Sequence, residues 1–368
     1  MAAARAVKAV CINGRFLTQA TTGVQRYATE MVRALDQRLA AEPALRGRYT
    51  FSLLTPRSRA CSLPLQQIPI VPTGRLRGQA WEQVELPFHA RQRLLLSLCN
   101  TAPLGAAGMV TIHDASVFAF PQAYSLPFGL WYRTLIPLLG RRSRLILTVS
   151  AFSRSELASR ARIPQDKIRV TPLGSEHVLQ TLPDGQIFDR VPVQPGRYIL
   201  AVGSRSPHKN LDGVLRAVAL LGEDAIPLVA AGGSNQKIFA SAVGLPEASF
   251  HAAGYVTDPE LRALYENAAC FVYPSLYEGF GLPPLEAMIC GCPAVVAHAA
   301  SLPEVCGDAV LYCDPLNPED IARQVRRFLR EPGLRAEYRD RGIARARSFT
   351  WDRTASALLS FLEDIEGS

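Results

Sequence analysis

Seven residues separate Glu278 from Glu286 in Tyr277-Glu-Gly-Phe-Gly-Leu-Pro-Pro-Leu-Glu286. The apolar run Cys270 to Tyr273 precedes them, and a helix-like stretch and a second apolar run, Pro293 to Ala297, follow. The pattern predicts one carboxylate at the mouth of a strand and the other in the first turn of the next helix. Strand ends of this kind are where open α/β sheets bind ligands. A carboxylate accepts hydrogen bonds on two oxygens, which suits the neighbouring hydroxyls of ribose or a pyranose. Glu286 alone has an equally good structural explanation. An acidic residue near a helix start is favoured by the helix dipole, and Pro283 and Pro284 are good helix starters. Glu278 lies in a glycine-rich loop, where function is commoner than packing.

A second group carries the opposite charge. Gly203-Ser-Arg-Ser-Pro-His-Lys-Asn210 follows a predicted strand and opens a helix. Arg205 as a bidentate fork and Lys209 as a point charge suit a diphosphate; two exposed basic residues in a loop is the plainer alternative. Thr21-Thr-Gly23-Val-Gln-Arg-Tyr27 also runs from a strand into a helix, whose first amides could meet an anion. His113-Asp114 ends a hydrophobic strand, where a histidine either contacts substrate or is simply hydrogen-bonded. Neither a G-x-G-x-x-G nor a G-x-x-x-x-G-K-[ST] pattern is present, which argues against NAD binding and P-loop hydrolysis. No D-x-D occurs either, which argues against a metal-bridged diphosphate; no metal site and no cofactor are expected, and Arg205 and Lys209 would take the electrostatic role of a metal.

The elements that must position these residues alternate between strand and helix in both halves, as in parallel α/β domains. A length of 368 residues suggests two domains. The segment Gln180 to Gly196 has linker composition. The expected division is 1–190 and 191–349, with a C-terminal helix over 350–366, and ligand between the two domains. Predicted strands are Val7–Ile12, Thr50–Leu54, Leu94–Cys99, Met109–His113 and Leu145–Val149 in the first half, and Tyr198–Val202, Pro227–Ala231, Phe271–Tyr273, Ala294–Ala297 and Val310–Tyr312 in the second. No run of 18 apolar residues exists, and the N-terminus lacks the pattern of a signal peptide. The eight cysteines show no metal spacing and suit a reducing, cytoplasmic setting. Residues 1–195 hold 24 Lys/Arg and 11 Asp/Glu, a net +13, whereas 196–368 hold 16 and 21, a net −5. Basic clusters stand at Arg75/Arg77, Arg91/Arg93 and Arg141/Arg142/Arg144. They suit an anionic membrane or a phosphorylated acceptor; aromatic interleaving for nucleic acid is absent.

Together these pieces resemble the retaining glycosyltransferase family 4, of GT-B fold. The likeness rests on Gly203–Leu211, on the nearly intact Glu-Gly-Phe-Gly-Leu-Pro-x-Leu-Glu-Ala-Met text from Glu278, on Ser301-Leu-Pro-Glu-Val305 and on His113-Asp114. It covers almost the whole chain. It implies two Rossmann-like parallel-sheet domains facing each other across a cleft, the first binding the acceptor and the second a nucleotide sugar. Glu286 would then bind ribose. Glu278 and the amides of Gly279, Phe280 and Gly281, with Leu282 beside them, would meet the donor sugar. Arg205 and Lys209 would hold the diphosphate beside Gly203, and Gly23 would let the first loop approach it. His113 would touch the sugar, and Tyr255 and Val256 would line the base site. The look is that of bacterial mannosyl- or rhamnosyl-type transferases of polysaccharide assembly. It implies GDP-mannose, or alternatively a UDP-sugar, as donor. The implied acceptor is a saccharide, lipid-linked, at the inner face of the cytoplasmic membrane. A nucleotide-sugar-binding protein without activity, an oxidoreductase, and a GT-B epimerase or phosphorylase are the rival classes.

Overall fold

The structure is a computed structural model that describes residues 7–57, 62–106, 108–203, 206–232 and 249–367. Two compact units form: residues 1–174 with 351–368, and residues 175–350.

The first unit is built on a seven-stranded sheet in the order β3-β2-β1-β4-β5-β6-β7. Its strands are β1 Lys8–Asn13, β2 Tyr49–Pro56, β3 Ile70–Thr73, β4 Leu94–Ser97, β5 Met109–Thr111, β6 Leu145–Thr148 and β7 Ile168–Val170. The second unit has six strands in the order β10-β9-β8-β11-β12-β13. They are β8 Ile199–Val202, β9 Leu228–Ala231, β10 Phe250–Gly254, β11 Cys270–Tyr273, β12 Ala294–Ala297 and β13 Leu311–Cys313. Neighbouring strands pair in parallel throughout, for example Phe271 with Ala294 and Ile199 with Cys270. Both units are therefore Rossmann-like.

Sequence explains why the central strands form. Cys-Phe-Val-Tyr in β11 and Ala-Val-Val-Ala in β12 are buried at every position. Continuous apolar runs are what a parallel sheet covered on both faces requires. Helix Leu211–Ala219 buries Val214, Leu215 and Val218, and helix Pro318–Arg330 buries Ile321, Val325 and Phe328, in one core cluster with Val272 and Val295. In the first unit Leu135, Leu139 and Leu157 close over Val110 and Ile146. Each such side chain contributes about 1.5–3 kcal/mol on burial.

Each sheet reverses its strand order once: between β1 and β4, and between β8 and β11. Loops leaving the two strands at such a switch point diverge to opposite faces and open a crevice.

The boundary near residue 190 needs correction. The second unit begins at Ser175. Residues 175–196 are bonded into it: Asp184 N donates to Pro259 O (3.0 Å) and Gly196 N to Asn267 O (2.7 Å). The Pro/Gly/Gln composition that reads as linker instead supplies short turns, a 3-10 helix at Glu176–Gln180 and a helical turn at Ile187–Arg190. Helix Trp351–Gly367 packs on the first unit, with Trp351 buried near the Tyr27 ring (6.0 Å) and Thr354 Oγ1 donating to Pro172 O at 2.6 Å.

Candidate functional site

In the second unit, the loop after β8 and the loop after β11 meet at the switch point. Lys209 closes a 3-10 turn, Pro207–Lys209. Asn210 follows at φ 55° and caps helix Leu211–Ala219 by accepting from Gly213 N. Asparagine is among the few side-chain-bearing residues that tolerate this left-handed backbone. Its Nδ2 donates to Pro274 O (3.2 Å) and Pro315 O (2.6 Å), so one amide ties together the loops after β8, β11 and β13.

That anchoring brings Lys209 Nζ to 2.6 Å from Glu278 Oε1 and 2.8 Å from Tyr273 OH. Tyr273 OH (2.8 Å) and Ser275 Oγ (2.6 Å) also donate to Glu278 Oε1. Burial pushes the Glu278 carboxyl upward, but the Lys209 ammonium and these donors outweigh it and hold the group below the ordinary glutamate range. Glu278 is therefore an ionised partner of a cation. Tyr273 moves the other way: burial, then the adjacent Glu278 charge, keep its phenol protonated and donating. A small recess beside Lys209 is lined by Gly203, Ala231, Gly232 and Tyr273. Arg205 lies outside the described residues.

The glycine-rich loop is pinned from behind. Ser301 Oγ, fully buried, lies 2.9 Å from both Glu278 O and Phe280 O. Gly281 has φ +106°, and a Cβ there would come within 2.6 Å of Leu302 Cδ2. Only glycine fits that turn without strain. Gly279 and Phe280 are buried in the loop, and Leu282 begins helix Leu282–Ile289. Glu286 sits in the second turn of this helix, one turn later than expected. Both its oxygens are engaged: Oε1 with His177 Nε2 at 2.9 Å, and Oε2 with Tyr265 OH at 3.2 Å. Sequence reading missed Tyr273, Ser275 and Asn210, which border the motifs it found. It also missed His177 and Tyr265, whose role emerges only when the chain returns to Glu286.

Tyr255 and Val256 stand at the end of β10, the edge strand, with β9 between them and β8. Tyr255 is 77% exposed.

The remaining expected site residues belong to the first unit. His113 follows β5; its backbone N donates to Asn100 Oδ1 (2.8 Å) and its Nε2 donates to Leu98 O (3.0 Å). The ring meets Tyr27 edge-on at 4.7 Å. Burial drives its pKa down, against the opposing effects of Leu98 O and Asp114. The ring is thus neutral, with Nδ1 left as an acceptor. Gly23 opens helix Gly23–Ala41, and space lies open where its Cβ would be. Thr22 N and Oγ1 both donate to Gln25 Oε1 (3.2 and 2.5 Å), fixing the helix start.

Residues 21–176 match the family model "Glycosyltransferase Family 4", and residues 186–347 match "Glycosyl transferases group 1". An O-antigen chain mannosyltransferase B of Escherichia coli is 34% identical over 265 residues, which is 68% of this chain and 69% of that protein. Among solved structures, a sucrose-phosphate synthase from Thermosynechococcus elongatus superposes with a TM-score of 0.73 at 17% identity, covering 98% of this chain and all of the other. WaaG, a glycosyltransferase involved in lipopolysaccharide biosynthesis, gives 0.69 at 16% identity over 95% and 98% of the two chains. The chain belongs to glycosyltransferase family 4, and it is a glycosyltransferase of GT-B fold.

Proposed function

We propose that this family 4 enzyme transfers a mannosyl group from GDP-mannose to a growing saccharide of a cell-surface polysaccharide, with retention of configuration. The single observation that carries a diphosphate donor is the Lys209–Glu278–Tyr273 cluster at the switch point between β8 and β11. An ammonium has three N–H donors. Two of those on Lys209 point to Glu278 and Tyr273, leaving the third for a phosphate oxygen. As the sugar–phosphate bond breaks, negative charge gathers on the departing diphosphate. A cation already fixed by its neighbours stabilises that charge without reorganising. Arg205 is assigned the same task from sequence. The backbone amides of Gly279, Phe280 and Gly281, at the start of helix Leu282–Ile289, meet the donor sugar, helped by the positive helix end.

Glu286 serves as the ribose ligand. A carboxylate offers about four acceptor sites. His177 and Tyr265 occupy two of them and fix the rotamer, and the remaining two suit a ribose diol. His113, neutral and with Nδ1 accepting, serves a sugar hydroxyl; the acceptor hydroxyl attacks the anomeric carbon as the sugar–phosphate bond breaks, and its proton leaves with the departing diphosphate.

Mannose is favoured by the name of the 34%-identical relative, an O-antigen chain mannosyltransferase; a UDP-sugar is the second choice. A lipid-linked acceptor at the inner membrane face fits the charge. The first unit carries 24 Lys/Arg and 12 Asp/Glu, a net +12, against 16 and 20, a net −4, in the second. Among the described residues no helix is long and apolar enough to cross a membrane.

A thermal-shift panel of GDP, UDP, ADP and dTDP tests the donor. Selective stabilisation by GDP that disappears in Glu286→Ala is the expected result. Stabilisation by UDP alone would replace GDP-mannose with a UDP-sugar, and a response unchanged by the substitution would remove Glu286 from the nucleotide site.

A further inference from the structure

Two of the basic clusters in the sequence serve no part of the donor chemistry. Folding brings them together. Arg91 and Arg93 lie just before β4, and Arg142 and Arg144 just before β6. All four line one recess of about 1390 Å³ in the first unit. Its floor is the beginning of β1 and β4, where Val10 pairs with Leu94. Strands of a parallel sheet share a direction, so this recess lies at the sheet edge opposite His113, which follows the end of β5.

Among the described residues that line it, none is Asp or Glu. The arginine contacts are with uncharged groups. Arg91 stacks over the Phe88 ring at 4.5 Å, Arg93 Nη1 reaches Cys11 Sγ at 3.7 Å, and Arg142 Nη1 donates to Leu104 O at 3.5 Å. A basic residue at a helix C-terminus is favoured by the dipole, and that explains Arg142, the last residue of helix Leu126–Arg142. It does not explain Arg91, Arg93 or Arg144, which lie outside helices. Four guanidinium groups around one concavity repel each other, and an anion inside it removes that cost. The planar fork of arginine fits phosphate oxygens in pairs. The rim adds apolar surface, with Phe88 61% and Val7 53% exposed.

We propose that this recess is a second anion site that takes a phosphate group, separate from the donor site and independent of which nucleotide sugar the enzyme uses. A phospholipid headgroup and a soluble diphosphate share this chemistry, and the experiment separates them. Co-sedimentation with phosphatidylglycerol/phosphatidylcholine vesicles, and with pure phosphatidylcholine vesicles, is measured beside calorimetric titration with inorganic diphosphate. Four proteins are compared: the unsubstituted enzyme, Arg91→Gln/Arg93→Gln/Arg144→Gln, the control Arg75→Gln/Arg77→Gln, and Lys209→Ala.

The replaced arginines are exposed, and an unchanged thermal midpoint confirms that the arginine variants are folded. If the ligand is a bilayer, binding requires phosphatidylglycerol. It then falls roughly 10²-fold in the triple variant, from the weight of three basic residues near a charged surface, and changes little in the control. If the ligand is soluble, vesicles do not bind, and the part of the diphosphate signal that survives in Lys209→Ala is lost in the triple variant. The proposal is overturned if the unsubstituted protein binds neither probe. It is equally overturned if the triple variant binds as well as the control, because the charge then acts as a diffuse surface and not as a site.

Discussion

Removing the Lys209 ammonium isolates its electrostatic work, and Lys209→Ala should reveal it through stability as well as turnover. The Glu278 and Lys209 side chains are only 12% and 21% exposed, at 2.6 Å. Breaking a buried pair strands the surviving charge and costs about 3–5 kcal/mol. Tyr273 and Ser275 still donate to Glu278, so the lower end, about 3 kcal/mol, is expected. At roughly 2–4 °C per kcal/mol for a domain of this size, the midpoint should fall by about 6–12 °C near neutral pH. The sign with pH follows from the carboxyl. In the native protein its pKa is lowered, so its contribution is complete above the ordinary glutamate value and is lost as pH falls through the lowered one. Without Lys209, burial is no longer outweighed and the carboxyl rises. The variant should therefore recover, relative to the native protein, as pH falls from neutral through the raised value, where Glu278 takes up a proton. Urea unfolding followed by circular dichroism across that range reads the difference. Adding Glu278→Gln should restore much of the stability but not the transferase activity. An equal stability deficit at both ends of the pH range, or none at pH 8, would refute the reasoning.

Three further substitutions test the loops around the cluster. His177→Ala should weaken nucleoside diphosphate binding by roughly tenfold through loss of one charge-assisted bond. Binding of the 2′,3′-dideoxy analogue should stay unchanged; calorimetry with both ligands separates a ribose effect from general damage. Ser301→Ala leaves two buried carbonyls without their shared donor, at a cost of about 1–3 kcal/mol, and should lower kcat more than it raises KM for the acceptor. Gly281→Ala combines a φ of +106° with a 2.6 Å approach to Leu302. It should cost about 1–3 kcal/mol and reduce donor affinity, and normal affinity in a folded Gly281→Ala protein would remove the loop amides from the donor contacts.

The central strands and the two charged loops were legible because their signals are local. β8, β11 and β12 are unbroken apolar runs, and Lys209 and Glu278 sit in glycine-containing text directly after two of them. The missed strands are all at sheet edges: β3, β7 and β10. β3 contains Pro72, β7 contains Arg169 and β10 contains His251. Edge strands tolerate proline and charge because one side makes no ladder bonds and is less covered, and that tolerance erases the apolar pattern. His177 escaped notice for another reason. Its partner Glu286 lies 109 residues away, and no spacing rule spans that distance. The misplaced boundary has the same origin. Turn-forming residues in 180–196 look alike whether they cross between units or lie against one.

The return of helix Trp351–Gly367 to the first unit bears on how the molecule is made. The second unit is a continuous piece of chain, finished at residue 350, whereas the first unit is discontinuous and needs residues 351–368. A ribosome adding roughly 5–20 residues per second leaves the first unit waiting tens of seconds at the slow end for its last element. During that interval the surface later covered by Trp351, Leu358 and Leu362, all buried in the finished protein, stays open to solvent. The N-terminal half is thus begun first and completed last.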